Sequence, residues 1–275
     1  MSVLNKLFAS VAAASVLVGS SLSFAANAAD SVEVKLGIVD THYDEWINTA
    51  KNLEAEGIKL TIVNFADYTL PNRALNDGDI DLNAFQHRAY LKSESESNGY
   101  DLTAIANTII SPLGAYSDKI KNIDELKDGD IVAIPNDPTN GGRALKLLET
   151  AGVIKLDPSK GYLPTVNDVT EYVKKIEIKE VDASYTASLI PDVAVSIINS
   201  NYALDNNLLP TKDAIYLDTY GEVDEANPYV NILVARTADK DKEVFKKIVA
   251  AYQTEENAKI IEAQSKGASV PVFKY

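Results

Sequence analysis

The chain has 275 residues, 46% of them hydrophobic and 24% charged, which is the composition of a globular protein large enough for two modest domains. Its formal net charge of −14 argues against a nucleic-acid or anionic-membrane surface, because both require clustered Lys and Arg. It contains no cysteine, which excludes disulfides, a thiolate nucleophile and a Cys-based metal site.

The first 28 residues have the pattern of an export signal. Lys6 precedes a short apolar run, Leu7 to Val18, and Ala26-Asn27-Ala28 forms an A-x-A cleavage site. The apolar run is shorter than the ~20 residues of a membrane span. We therefore expect cleavage after Ala28 and a periplasmic protein without a lipid anchor, since no cysteine is present to carry one.

Strand and helix patterns then alternate. The predicted strands cover residues 32–39, 59–65, 80–84 and 102–110, and the predicted helices cover 43–55, 73–75 and 88–97. This alternation is typical of a helix-covered parallel sheet, which binds ligands beyond the carboxyl ends of its strands. Three stretches follow predicted strands directly, and we expect them to share one rim: 40–42, Tyr68 and 85–90.

A second unit of similar design begins after residue 117. It has a helical turn at 123–126, strands at 131–134, 176–181 and 193–198, and a helix from about Arg143 to Ala151; a β-rich run at 229–235 and two helical segments within 242–263 end the chain. We predict an α/β fold with two lobes, each a helix-covered mixed sheet, joined by crossing hinge strands as in periplasmic binding proteins. Lobe I is assigned residues 29–117 plus 232–275, and lobe II residues 118–231.

Catalytic motifs are missing from the sequence, which has no G-x-S-x-G, S-x-x-K or H-E-x-x-H. Asp40 and His42 lie close together, and with His87 they leave an exported metal-dependent hydrolase open as an alternative. In the other interpretation, the acidic residues Asp44 and Glu45 only begin a helix.

Arg143 is placed by these patterns in the first turn of a helix, after an Asn-Gly-Gly loop. Cations are usually disfavoured there, so the residue is either a clamp for a ligand carboxylate or a solvated side chain. Asn199 and Asn231 each follow an apolar run, where an amide pairs with a ligand or with local backbone.

Four residues form a candidate aromatic wall of a small pocket: Tyr68, Phe85, His87 and Tyr90. Two simpler interpretations remain open, because a strand-end phenylalanine commonly belongs to the core and His87 is placed to cap the next helix.

Two long motifs carry a family resemblance. Tyr68-x-x-Pro71-Asn72-x-Ala74-Leu75-x-x-Gly78-x-x-Asp81-x-Asn83-x-Phe85-Gln86-His87-x-x-Tyr90 closely resembles the methionine-binding proteins of the NlpA/MetQ family. Ile134-Pro135-Asn136-Asp137-Pro138-Thr139-Asn140 with Gly142-Arg143-Ala144-Leu145-x-Leu147-Leu148 resembles that family's second signature.

The resemblance implies a substrate-binding protein that delivers methionine to the permease of an ABC importer and needs no cofactor. It implies Arg143 as the carboxylate clamp, Asn199 and Asn231 as polar ligand residues, and the aromatic wall as the site of the thioether. We expect a monomer that does not bind nucleic acid. Residues 180–191 differ from the family pattern and are expected to shape the side-chain end of the site, which leaves another apolar amino acid or a small peptide open as the ligand.

Overall fold

The computed structural model describes residues 31–218, 221 and 227–275, so the predicted export signal lies outside the described residues. The first part of the chain forms β1 (Val32–Ile38), α1 (Asp44–Glu54), β2 (Ile58–Asn64), α2 (Pro71–Asp77), β3 (Leu82–His87), α3 (Arg88–Asn98), β4 (Leu102–Asn107) and β5 (Ile109–Ile110). The middle part forms β6 (Leu113–Tyr116), β7 (Ile131–Pro135), α4 (Pro138–Thr150), β8 (Ile154–Leu156), β9 (Val169–Tyr172), β10 (Glu177–Val181), β11 (Val195–Asn199), α5 (Ser200–Asp205), α6 (Pro210–Asp213) and β12 (Tyr216–Leu217). The last part forms β13 (Asn231–Arg236), α7 (Glu243–Tyr252), α8 (Glu255–Gln264) and β14 (Val270–Pro271).

Two five-stranded mixed sheets organise these elements. The first has the order β2-β1-β3-β13-β4, with β13 antiparallel to both of its neighbours. The second has the order β10-β7-β11-β6-β12, with β6 antiparallel to both of its neighbours. The chain crosses to the second sheet between β5 and β6 and returns between β12 and β13, which confirms the predicted pair of helix-covered mixed sheets linked by crossing segments.

Each sheet has its own apolar core. Trp46 of α1 stacks on Tyr252 of α7 with ring centroids 4.2 Å apart, and both pack on the first sheet. Leu145 and Leu148 of α4 pack on the second sheet. Burying each such side chain contributes about 1.5–3 kcal/mol, so the helix faces fix the strands whose ends form the site.

The helix α4 begins five residues earlier than predicted, and the prediction of a loop at Asn-Gly-Gly was wrong. Asp137 caps the helix by accepting from the backbone N–H of Asn140 at 2.8 Å. Glycine is required inside the first turns for close packing, since a Cβ at Gly141 would lie 2.8 Å from the Pro135 carbonyl oxygen. Arg143 therefore lies beyond the first turn of the helix.

Two strand bounds also differ from the prediction. The strand predicted at 80–84 is β3, which extends through His87, so Phe85 and His87 lie within the strand and not after it. Asn231 begins β13 and does not follow a strand. Asn231 still lies at the carboxyl end of β3, because β13 runs antiparallel to β3 and pairs Asn231 with His87.

Candidate ligand-binding cleft

One cleft, with an empty volume of about 920 Å³ including open solvent, is lined by all seven residues selected from the sequence. These residues are Tyr68, Phe85, His87, Tyr90, Arg143, Asn199 and Asn231. The first sheet contributes the ends of β1 and β3 and the start of β13, and the second contributes the end of β11 with parts of α4 and α5. Ligands of α/β sheets bind at such strand ends.

The rings of the aromatic wall contact one another, with Tyr90 edge to face against both Phe85 and Tyr68 and with Tyr68 tilted against Phe85. The Phe85 and Tyr90 centroids are 5.8 Å apart, and Tyr68 lies 5.9 Å from Phe85. The Tyr68 hydroxyl donates to Asn201 Oδ1 at 2.5 Å, and its ring lies 4.9 Å from that of Tyr202. The wall of the first sheet is thereby held against α5 of the second. Phe85 packs against an apolar cluster and also lines the cleft, so it is both a core residue and a residue of the cleft wall.

A buried amide network supports the wall from behind. Asn72 of α2 donates to Gln86 Oε1 at 2.8 Å, and Asn83 donates to Asn72 Oδ1 at 3.0 Å. Gln86 also donates to Asn83 Oδ1 at 2.9 Å. These three residues of the first motif fix α2 on β3, because a buried amide left without partners costs about 1–3 kcal/mol.

His87 caps α3, as one interpretation predicted, and also lines the cleft. Its Nδ1 accepts from the Tyr90 N–H at 3.1 Å, so Nε2 carries the proton and donates to Asn140 Oδ1 at 3.3 Å. Burial, followed by the positive charge of Arg143, lowers the pKa of His87 to about 3. The imidazole is therefore neutral and has both nitrogens engaged.

Asn199 presents an unused acceptor to the cleft. Its Nδ2 donates to Asn140 Oδ1 at 2.9 Å, and Asn140 in turn donates to Asp137 Oδ2 at 2.9 Å. The Asn199 Oδ1 is buried and has no hydrogen-bond partner among the described residues. Such an orphaned acceptor suits a ligand ammonium.

Arg143 is 4% exposed, so the interpretation as a solvated side chain was wrong. Its Nε donates to Asp218 Oδ2 at 2.5 Å, and its Nη2 donates to the Ser111 carbonyl oxygen at 2.8 Å. The guanidinium also lies over the Tyr229 ring, 4.4 Å from the centroid. Two of its five N–H groups are thus used, and three remain for another acceptor.

Among the residues that the structure describes, the Asn231 side chain makes one weak local contact. Its Nδ2 lies 3.5 Å from the Tyr229 carbonyl oxygen, at the limit of a hydrogen bond. Its amide is consequently available to a ligand in the cleft.

The predicted hydrolase set of Asp40, His42 and His87 is not brought together within the described part of the chain. A different trio is close: the ligand atoms of Asp40, His42 and Asp205 lie within 4.8 Å of one another. His42 Nδ1 is 3.3 Å from Asp205 Oδ1, and the Thr41 hydroxyl also donates to Asp205. His87 is absent from the trio because both of its nitrogens are committed elsewhere.

Two carboxyl groups, the partly buried Asp40 and the buried Glu45, line the first-sheet side of the cleft. Asp40 follows β1, and Glu45 lies in the first turn of α1, as the helix-entry interpretation predicted. Burial raises the pKa of each to about 7. Glu45 accepts from Gln264 Nε2 at 2.6 Å, and neither carboxyl group has an ion-pair partner from Lys or Arg among the described residues.

The segment 180–191 contributes no residue to the described lining of the cleft. Its expected effect on the side-chain end of the site stays a prediction. Ala183, Ala187 and Ile190 instead pack in the apolar cluster that holds Tyr202. Tyr68 and Phe85 of the aromatic wall pack against the same cluster, and Tyr202 also contacts the Tyr68 ring.

Four residues of the site were missed by the sequence interpretation. Asn140 lies in the second motif, three positions before Arg143, while Asn201 and Tyr202 come two and three positions after Asn199, so spacing was the available signal for all three. Asp218 gave no such signal, because it lies 75 positions from Arg143 and no short-range pattern connects the two.

Within residues 31–218 and 227–275, no helix is both long and apolar enough to cross a membrane.

Comparison with known proteins gives consistent matches over most of the chain. A probable D-methionine-binding lipoprotein, MetQ, of Vibrio cholerae is 43% identical over 245 residues, which are 88% of this chain and 89% of that protein. A nutrient-binding protein from Burkholderia cenocepacia, solved bound to methionine, has a TM-score of 0.82 and 42% identity, covering 87% of this chain and 100% of its own. The substrate-binding protein of a methionine transporter from Streptococcus pneumoniae has a TM-score of 0.82 and 35% identity, covering 88% and 96%. The model of the NlpA lipoprotein family matches residues 34–273, and the chain therefore belongs to the NlpA lipoprotein family.

Proposed function

We propose that this protein captures methionine, or a closely related apolar amino acid, and delivers it to an ABC-type importer. Relatives described as methionine-binding proteins, one of them from a methionine transporter, support this function. The observation that carries the proposal is the composition of the cleft, where a buried arginine and the unpartnered Oδ1 of Asn199 lie in the same space as an aromatic wall.

The ligand pose follows from chemical complementarity. The three unused N–H groups of Arg143 bind the carboxylate, because an arginine fork matches a carboxylate edge. Asn199 Oδ1, the buried orphan, accepts from the ammonium, and Asn231 completes the polar end. The thioether lies against the aromatic wall, where a sulfur–ring contact contributes about 0.3–1.5 kcal/mol.

Binding draws together two lobes, one built on each five-stranded sheet. The predicted bounds, 29–117 plus 232–275 for lobe I and 118–231 for lobe II, are kept except at their edges, because β6 pairs in the second sheet and Asn231 begins β13 of the first. Hydrogen bonds between the two sheets' elements, Tyr68 to Asn201 and His87 to Asn140, support a closed state with the ligand between the lobes. A ligand that contacts both lobes shifts the population toward that state by its differential affinity.

The protein acts without catalysis. The His87 nitrogens are both engaged, and the alternative hydrolase lacks its assembled set. Elemental analysis of purified protein tests this directly: stoichiometric zinc or manganese at Asp40, His42 and Asp205 would favour the metalloenzyme.

One feature of the sequence bears on membrane attachment. The Vibrio relative is described as a lipoprotein, whereas this sequence has no cysteine. We propose an exported monomer that reaches its importer by docking. Intact-mass measurement and fractionation test this, and a lipid adduct or membrane retention without the permease would refute it.

Isothermal titration calorimetry with Arg143→Lys tests the binding mode. Lysine keeps a positive charge beside Asp218 but loses the planar fork, and charge-assisted hydrogen bonds contribute about 1.5–3 kcal/mol. We expect the methionine affinity of Arg143→Lys to fall by about tenfold or more. The control variant Arg73→Lys, on the exposed face of α2, should keep the wild-type affinity. The panel includes both methionine stereoisomers, leucine and a methionyl dipeptide. Equal affinity of wild type and Arg143→Lys would contradict the pose.

A further inference from the structure

The charge balance of the cleft rests on one cation. Among the described residues that line it, Arg143 is the only Lys or Arg, and His87 is neutral. Asp40 and Glu45 supply further acidic groups on the opposite side. The positive potential available to a ligand therefore depends on what surrounds the guanidinium.

Asp218 neutralises Arg143 from behind the cleft. Its Oδ2 accepts from Arg143 Nε at 2.5 Å, yet it is not among the residues that line the cleft. The side chains of the pair are 5% and 7% exposed, so solvent screens this interaction little.

The position of Asp218 is fixed by backbone contacts. Its Oδ1 accepts from the Leu113 N–H at 2.7 Å, and its own N–H donates to the Leu113 carbonyl oxygen at 2.9 Å. The carboxylate is consequently a permanent part of the wall behind Arg143, and the unused edge of the guanidinium remains available to the cleft.

A fixed negative charge behind the clamp affects ligands according to their net charge. It repels any ligand carboxylate, but it also attracts an ammonium on the same ligand. In a zwitterion, the attraction of the ammonium to Asp218 restores part of the binding free energy that repulsion of the carboxylate removes. An organic anion without an ammonium has no such compensation. Like charges brought close in a desolvated site are strongly disfavoured.

We propose that Asp218 is a specificity-determining residue, which makes the cleft select zwitterionic α-amino acids over net-anionic carboxylates of the same shape. This inference rests on the proposed function of the cleft and concerns the charge class of its ligand. Asp218 acts through electrostatics and through Arg143, without contacting the ligand.

The experiment compares methionine with 4-(methylthio)butanoate, which has the same side chain and carboxylate but no ammonium. Calorimetry or competition gives the affinity ratio of the two ligands for wild type, Asp218→Asn and Asp218→Glu. We expect wild type to prefer methionine. Asp218→Asn should reduce that preference by about tenfold, because it removes a poorly screened charge, and Asp218→Glu should retain the preference. A residue with only a structural role would change both affinities equally and leave the ratio constant.

Three results separate the possible failures. If wild type binds methionine and the ratio is unchanged in Asp218→Asn, or is close to one in wild type, the inference is overturned and the proposed function stands. If wild type binds neither methionine nor another apolar amino acid, the proposed function itself fails. Should Asp218→Asn not fold, Asp218→Ser keeps Arg143 and offers a hydroxyl oxygen in place of the carboxylate. Its ratio against that of wild type then decides in the same way.

Discussion

Replacing Glu45 by glutamine should stabilise the fold at alkaline pH. Glu45 is 7% exposed, and burial raises its pKa from 4.5 to about 7. Between these values the folded chain keeps a proton that the unfolded chain has released, so stability falls as the pH rises through this window. The difference corresponds to about 3 kcal/mol of unfolding free energy above pH 7. Glutamine is neutral throughout and still accepts the hydrogen bond from Gln264.

Chemical denaturation between about pH 4.5 and pH 8.5 measures this effect. We expect Glu45→Gln to exceed wild type by on the order of 3 kcal/mol at the alkaline end, with the difference vanishing at the acidic end. Glu54→Gln, at an exposed position of the same helix, is the matched control and should follow wild type. A difference that is absent, or that is the same at every pH, would refute burial as the cause.

Three further predictions concern the cleft and its supports. Asn201→Ala removes two hydrogen bonds, to Tyr68 and to the backbone of residue 39, and should lower the methionine affinity measured by calorimetry about tenfold or more, with an intermediate loss for Tyr68→Phe. An unchanged affinity of Asn201→Ala would argue against closure through α5. Gly142→Ala places a Cβ 2.9 Å from the Tyr162 carbonyl oxygen and should lower the free energy of unfolding by about 1–3 kcal/mol. A melting temperature equal to that of wild type would show that α4 relaxes to accept the methyl group. His87→Gln should reduce the loss of stability as the pH falls from 6.5 toward 3, because in wild type only the unfolded chain takes up the His87 proton in that range. Identical pH profiles of the two proteins would mean that the folded chain does not hold the imidazole buried in its neutral form.

The sequence supported the fold class because local patterns carry it. The alternation of strand and helix periods predicted two helix-covered sheets, and α1 was placed within one residue at each end. The start of α4 could not be found locally, since Asn-Gly-Gly is typical of a loop and only the packing of Gly141 on the Pro135 carbonyl explains a helix. Tertiary contacts override such local preferences.

The candidate site was predictable in its residues but not in their connections. The two motifs pointed to the aromatic wall and Arg143, and the structure brings both to one cleft. The Arg143–Asp218 pair joins residues 75 positions apart, and the Tyr68–Asn201 bond joins residues 133 apart. Neither pairing has a periodic signal, because each depends on how the chain crosses between the sheets.

Native mass spectrometry of the ligand-stripped protein, mixed with an equimolar set of the twenty amino acids, tests the central claim most directly. The proposed function predicts one dominant adduct per chain with the mass of methionine or of another apolar amino acid, and its loss in Arg143→Lys. A charged or polar amino acid as the dominant adduct, or none at all, would contradict it.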